Sequence, residues 1–335
     1  MSEVTVSVVI PTHNRAESIA TTLEVLGRQD LPPDDYEIIV VDDGSTPPVR
    51  LNAKSKGPAC SLVRLEGVER SLARNHGAAV AAGDILLFLD DDMTVGFDFL
   101  NAHLRAHEEW PEALVVGSVR LPDEALATPF GRFRQDLEQR GTPRLRGLAS
   151  ARNFCTAANM SISRELFLRL GGFDASVFSG EDQDLALRHT ARGGQIAFIP
   201  EALAIHHDQS VDVKSYCRRA EWGSEHMVAF CQRYADWPDN IERRRINGPV
   251  RWKHEPVTQI ARKLIKAALA LGPVVAAMSI SASLLERVAP QSRALNRVYR
   301  LLLGSHIFRG YRRGHRATFI DQQTGIRAIK QRLLD

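Results

Sequence analysis

The chain of 335 residues has only four cysteines, Cys60, Cys155, Cys217 and Cys231. They form no CxxC pair and are too sparse for a disulfide framework, so they are expected to be ordinary buried thiols in a reducing cytoplasm. A large charge of one sign is also missing. The formal net charge is +3, and the lysines and arginines are scattered, which argues against a nucleic-acid partner. No basic stretch, long apolar core and small-residue cleavage site precede the first apolar segment at 4–10, so a secretory leader is not expected and a cytoplasmic location is. Internal repeats and low-complexity tracts are lacking. Long apolar runs are scarce, with 267–285 the exception. That run is uncharged, rich in Ala and Ser, and broken at Gly272-Pro273. A buried hairpin, an interfacial helix and a span all stay open for it. The flanking Lys263, Lys266, Arg287 and Arg293 favour a hairpin or peripheral contact, through 256–300, with the inner face of a membrane.

What is present in the first half is alternation. Short β-branched runs predict strands near 6–10, 37–41, 61–65, 85–89 and 114–116. Helical patterns predict helices at 16–28, 71–82 and 97–108. This is the pattern of an α/β sandwich with a central, mostly parallel sheet and crossover helices. In the third helix the apolar residues are expected on one face, with the glutamates, His103 and His107 towards solvent. Residues 119–152 lose periodicity and gain arginines, from Arg120 to Arg152, and read as a long, partly ordered insertion. Regular structure is expected again as a strand at 156–162, helices at 163–170 and 181–192, and two short strands at 196–199 and 203–205. A catalytic domain of residues 1–235, closing somewhere within 211–235, would leave 236–335 as an appended helical region.

Chemistry in a parallel sheet gathers at the C-terminal ends of its strands. The second strand ends in Asp42-Asp43-Gly44-Ser45 and the fourth in Asp90-Asp91-Asp92, and these are expected to be adjacent strand ends rich in negative charge. Carboxylates packed together need a positive partner, and their oxygens suit Mg²⁺ or Mn²⁺. Mg²⁺ is commonly shared between a few carboxylates and substrate phosphates, which points to a diphosphate-bearing ligand. Each aspartate taken singly also fits a turn cap. The first strand ends in Pro11-Thr12-His13-Asn14-Arg15, which opens a helix and could hold a nucleotide there. Its bland alternative is a strand–turn–helix capped by Asn14.

The order of the motifs says more than any one of them. SVVIPTHNR, VVDDGS, ARNHGAAVAAGDILLFLDDD, GGFD, GEDQDLALR and AIHHD follow one another in a match that covers roughly residues 4–207. In that order they resemble glycosyltransferase family 2. The resemblance implies the GT-A fold, inverting transfer, a nucleoside-diphosphate sugar donor, with uridine diphosphate favoured, and a divalent metal. It implies that Pro11 and Thr12 lie beside the nucleoside, that Asp43 reads the base with Asp42 next to it, and that Arg74 stands near the base and the metal-binding acids. Asp92 is implied as a metal ligand, Asp90 as facing the ribose or an anchoring cation, and Asp91 as the middle residue of the triplet. Gly171 and Gly172 are similar to the loop that approaches the donor sugar. Asp182 is similar to the catalytic base, with Glu181 orienting the acceptor, and His206 to the histidine metal ligand. His207 is its adjacent competitor.

Inverting transfer needs one base to take the acceptor's proton, and a metal to neutralise the departing diphosphate. Glu181 and Asp182 equally suit the first turn of a helix, where acids complement the dipole. A sugar-phosphate nucleotidyltransferase would carry a glycine-rich phosphate loop near the N-terminus, and 11–15 contains no glycine. A non-catalytic nucleotide-sugar-binding protein would have no use for Asp182. The acceptor, saccharide or lipid-linked, would meet variable loops, among them the arginines of 119–152, and these carry no readable code.

Overall fold

The computed structural model describes residues 4–51, 57–149, 154–208 and 212–332, with side chains as far as residue 317. Arg152, in the expected insertion, and Val211, at the start of the expected domain boundary, lie outside the described residues.

The apolar run of β1 (Val6–Thr12) is buried throughout, as a strand covered on both faces must be. It pairs in parallel with β2 (Tyr36–Asp43) on one side and β4 (Ile85–Leu89) on the other, and β2 pairs in parallel with β3 (Ala59–Leu65). Helices α1 (Ala16–Leu26) and α2 (Arg70–Val80) make the crossovers. The sheet continues through β5 (Met93–Val95), β6 (Leu114–Arg120), β7 (Gly147–Ala149), β8 (Asn159–Ser163) and β9 (Ile196–His206), with the order β3-β2-β1-β4-β8-β6-β9-β5 and β7 beside β9. β8 is antiparallel to β4 and β6, while β6 and β9 are parallel, so the sheet is mixed and mostly parallel. Two apolar layers sandwich it, one including Ile19, Leu26, Leu100 and Ala106, the other Ala73, Phe167, Phe173 and Leu185.

Several expectations change. β2 and β4 are not neighbours, because β1 lies between them. The two strands expected at 196–199 and 203–205 are one strand, β9, interrupted where Pro200, Glu201 and Ala202 have no partners on β6. In α3 (Phe99–Glu109) both histidines are buried with Phe99, Leu100 and Ala106. Position 103 shares a face with 99, 100 and 107, so this is the face turned to the sheet, where polar partners on β8 receive the imidazoles. Cys60 is exposed, because β3 is an edge strand with little cover, while the other three cysteines are buried as expected. Residues 119–149 hold more order than their irregular pattern implied, namely α4 (Asp123–Leu126), α5 (Pro129–Glu138) and β7. Helices α6 (Arg164–Leu170) and α7 (Glu181–Thr190) complete this part, with Ser163 capping α6 through its side chain.

The chain divides into two compact units, Met1–Ala125 with Gln135–Gln209, and Leu126–Arg134 with Ser210–Asp335. The division at 209/210 falls ahead of the expected 235. The second unit is helical, with α8 (Val213–Arg233), α9 (Pro238–Asn247), α10 (Val257–Leu269), α11 (Gly272–Val288) and α12 (Arg293–Arg332). Phe130, Phe133, Tyr216 and Tyr299 stack within it. α10 and α11 meet at a 72° bend, and no single helix among the described residues is long and apolar enough to cross a membrane. Lys263, 2% exposed, points into the unit and bonds Glu255 and the Pro249 carbonyl, while Leu264 and Ile265 face out.

Candidate active site

The end of β2 is closed by the chain itself. Asp42 is buried; its carboxylate accepts from the N–H of Ser45 (2.9 Å) and of Val49 (3.1 Å) and pairs with Arg64. Burial would raise its pKa, but those hydrogen bonds and Arg64 hold it below the usual carboxylate value. Asp43 accepts from the N–H of Val68 (2.6 Å) and Glu69 (3.1 Å), which fixes the loop leading into α2. Pro11 is buried at the end of β1 opposite Val41. Asn14 does not cap α1; its side chain accepts from the Thr46 N–H, and Arg15 occupies the cap position.

The acids after β4 are held differently. Asp91 accepts from the hydroxyl of Thr12 (2.6 Å) and from Arg15 (3.1 Å), and Arg15 also reaches Asp92 Oδ2 at 2.6 Å. Burial, then the nearby Asp92 and Asp90, push Asp91 up to about 6 against Thr12 and Arg15. Asp92 is 4% exposed and, among the described residues, its Oδ1 has no hydrogen-bond donor. His206 Nε2 stands 3.2 Å from that oxygen, within ion-pair distance. A ligand atom each from Asp92, His206 and Asp208 lie within 4.8 Å of one another. His207 instead meets the Thr94 hydroxyl at 2.8 Å, which separates the two neighbouring histidines. Burial disfavours protonation of His206, yet Asp92, Asp90 and Asp208 raise its pKa above the ordinary value. The donor set of two carboxylates and an imidazole, converging on one spot, fits a divalent cation.

Arg74 ties this strand end to α7. It is buried, and donates from Nη2 to Asp90 (2.7 Å) and from Nη1 to Glu181 (3.1 Å). Arg70 adds a 3.5 Å approach to Glu181. Glu181 is therefore occupied by arginines, whereas its neighbour Asp182 accepts from the Gln183 N–H at 2.8 Å and from the Ala157 N–H at 3.4 Å. Burial, then the Glu181 charge, raise Asp182 to about 7. Gly171 and Gly172 close α6 with φ of 81° and 69°, where an L side chain is strained. A Cβ on Gly172 would stand 2.7 Å from Asn75 Oδ1, and Asn75 in turn bonds both the N–H and the C=O of Phe173. Arg188 holds the carbonyls of Leu170 and Gly172, so the loop is pinned from α2 and α7.

Thus Thr12, Arg74, Asp90, Asp91, Asp92, Glu181, Asp182 and His206 form one run of contacts and neighbours in the first unit, while Asp42 belongs to the β2 turn. Sequence reasoning passed over Asp208 and Arg15. The first was visible as the acid ending AIHHD, and the second as the last residue of SVVIPTHNR.

Residues 7–171 match the model of Glycosyl transferase family 2. Validoxylamine A glucosyltransferase of Streptomyces hygroscopicus subsp. limoneus is 30% identical over 231 residues, 56% of this chain and 48% of that protein. Glycosyltransferase AglE of Haloferax volcanii is 27% identical over 205 residues, 60% of this chain and 66% of that protein. The chain thus spans about half to two thirds of the length of these curated relatives. Among solved structures, the mannosyltransferase PcManGT from Pyrobaculum calidifontis, in complex with GDP-Man and Mn2+, superposes with a TM-score of 0.57 at 21% identity, covering 91% of this chain and 86% of that one. The fold is accordingly of the GT-A type. Motif order, sheet and family model agree, and residues 7–171 of the chain belong to glycosyltransferase family 2.

Proposed function

We propose that this chain transfers a sugar from a nucleoside-diphosphate sugar to a hydroxyl of a saccharide or lipid-linked acceptor, with inversion at the anomeric carbon. The observation that carries the reading is the convergence of ligand atoms from Asp92, His206 and Asp208 within 4.8 Å of one another, with Asp92 Oδ1 buried 3.2 Å from His206 Nε2. Asp92, His206 and Asp208 would hold Mn²⁺ or Mg²⁺, which when bound would neutralise charge on the leaving diphosphate. The neighbour of like fold binds such a donor, GDP-Man, with Mn2+, and the resemblance in motifs favours uridine diphosphate here.

The chain's own groups then divide the work. Pro11, Thr12 and Asp43, with Asp42 behind them, shape the strand ends proposed for the nucleoside, and Asp90 and Asp91 those for the ribose. Gly171 and Gly172 let backbone approach the donor sugar without a side chain between. Asp182 takes the proton from the acceptor hydroxyl as its oxygen attacks from the face opposite the leaving group. A pKa near 7 suits a base working at neutral pH. Glu181 keeps Arg74 in place. Membership of the family sets the nucleotidyltransferase alternative aside. Incubation with a panel of nucleotide sugars and Mn²⁺ is expected to release nucleoside diphosphate from at least one donor, and chelation to stop it. A donor that raises the melting temperature but is never turned over would leave a binding protein in place of an enzyme.

We also propose that the second unit contacts an anionic lipid surface through 256–300, at the cytoplasmic face of a membrane. Ile265, Leu271, Ile280, Leu284 and Val288 are exposed, with Arg262, Arg287 and Arg293 exposed among them. An apolar face with basic flanks matches an anionic bilayer. Cosedimentation with phosphatidylglycerol vesicles is expected, weakened by phosphatidylcholine replacement and by Ile280→Asp with Leu284→Asp. Unchanged binding by that double variant would overturn the assignment, and a dimer broken by it without vesicle binding would give the face to a second copy.

A further inference from the structure

Consecutive residues of β6 meet β9 across a gap: Gly117 pairs with Ile199, but Ser118 pairs with Leu203. Pro200, Glu201 and Ala202 are extra residues on β9. Their number sets the register in which the end of β9 leaves β6 to pair with β5, where Met93 is opposite His206, and a slip of one residue would reverse the side chains. A single side chain fills the gap. Asn159 is fully buried, and its Nδ2 donates to the Ser118 carbonyl (2.9 Å) and the Ala202 carbonyl (2.8 Å). Its place depends on Gly117, where a Cβ would stand 2.3 Å from Nδ2 and 2.5 Å from the Ala202 oxygen. In β8 the same residue pairs with Leu89, which immediately precedes Asp90-Asp91-Asp92. Asn159 therefore sits between the strand end that carries Asp92 and the irregularity that sets the approach of His206 and Asp208.

The orientation of the amide is fixed by its surroundings. With both N–H groups on carbonyls, Oδ1 faces His103 Nε2 at 3.0 Å, and that nitrogen must donate. His103 Nδ1 then accepts from the Ser161 hydroxyl (2.8 Å), and Ser161 accepts from His107 Nε2 (2.8 Å). Burial pushes His103 down to about 3 and His107 down to about 4, so both imidazoles stay neutral and this set of donors is kept. The two histidines of α3 thus serve as the support of one amide.

We infer that Asn159 is a positioning residue for the cation site, locking the register of β9 so that His206 and Asp208 meet Asp92. The inference rests on the proposed cation role of those three residues. It is tested with the full chain by Mn²⁺ titration followed by electron paramagnetic resonance, with thermal unfolding recorded alongside. His206→Ala is expected to weaken Mn²⁺ binding about a hundredfold, and Asn159→Ala about tenfold. Because Asn159 acts through β9, adding Asn159→Ala to His206→Ala should cost clearly less than it does alone. If Asn159→Ala does not fold, His103→Leu removes the donor to Oδ1 and is expected to weaken Mn²⁺ binding severalfold, with His103→Gln restoring it. Lower melting temperature with unchanged Mn²⁺ affinity, or full additivity with His206→Ala, would make Asn159 merely structural and overturn the inference. Unchanged affinity in His206→Ala would overturn the cation site itself, and this inference with it.

Discussion

The acids ending β2 and those following β4 flank the same strand, β1, and share their chemistry, yet the fold treats them in opposite ways. Asp42 receives two backbone N–H groups and a guanidinium, and its charge serves to close a turn. Asp92, also buried, has one oxygen that takes no hydrogen bond among the described residues and is ion-paired with an imidazole. The contrast repeats on α7, where Glu181 is occupied by arginines while Asp182, among the described residues, accepts from backbone N–H groups. Acid residues at strand ends are thus sorted by where their hydrogen bonds go, since a buried polar atom without a partner is costly unless something else supplies one.

Four substitutions would sharpen or break this contrast. Asp182→Asn should lower turnover by about 10²- to 10⁴-fold while leaving donor affinity unchanged, read as initial rates beside thermal stabilisation by the donor. Wild-type turnover should rise with pH through about 7 as the base loses its proton. The sign for stability is opposite. A carboxyl whose pKa is raised on folding stabilises most below its unfolded value near 4 and loses that contribution as pH rises through about 7. Denaturant melts at pH 5 and 8 should therefore show Asp182→Asn gaining stability relative to wild type at the higher pH.

Next in size, Asp92→Asn should weaken Mn²⁺ binding by about a hundredfold or more, exceeding the usual cost of losing an outer partner. Glu181→Gln should lower kcat by roughly tenfold, because Arg74 loses one of its anchors and the base helix shifts against the strand end. Asp42→Asn should leave Mn²⁺ affinity alone and lower unfolding free energy by about 1–3 kcal/mol, measured by urea titration. The folded-state pKa of Asp42 is depressed, so this difference should persist above about pH 4 and shrink as pH falls through the folded value. Were Asp42→Asn to weaken Mn²⁺ binding as much as Asp92→Asn does, the two strand ends would not differ as described.

Much of the first unit was legible because each strand is a β-branched run that stops at a motif, so β1, β2 and β4 end beside the residues proposed for the site. Strand order was not legible. Chain order places the acids of β2 and β4 in succession, and only the crossover through α2 shows that β1 comes between them. His103 and His107 misled because a helical wheel ranks histidine as polar, while hydrogen bonding to Asn159 and Ser161 lets a neutral imidazole face the sheet. β9 was divided in two at Pro200, which cannot donate to a ladder, yet Asn159 supplies the missing bonds and the strand resumes. Asp208 escaped notice because nothing in AIHHD tells which of its polar residues converge. The bend between α10 and α11 followed from Gly272-Pro273, but the inward Lys263 did not, since its partners Glu255 and Pro249 are paired with it only by the tertiary fold.

The central claim is that Asp92, His206 and Asp208 share one cation, and a crystal grown with Mn²⁺ and a nucleoside diphosphate tests it most directly. An anomalous difference peak at Mn–ligand distance from all three residues is the predicted result. A peak at Asp42 and Asp43 instead, or none beside Asp92 at saturating Mn²⁺, would contradict it.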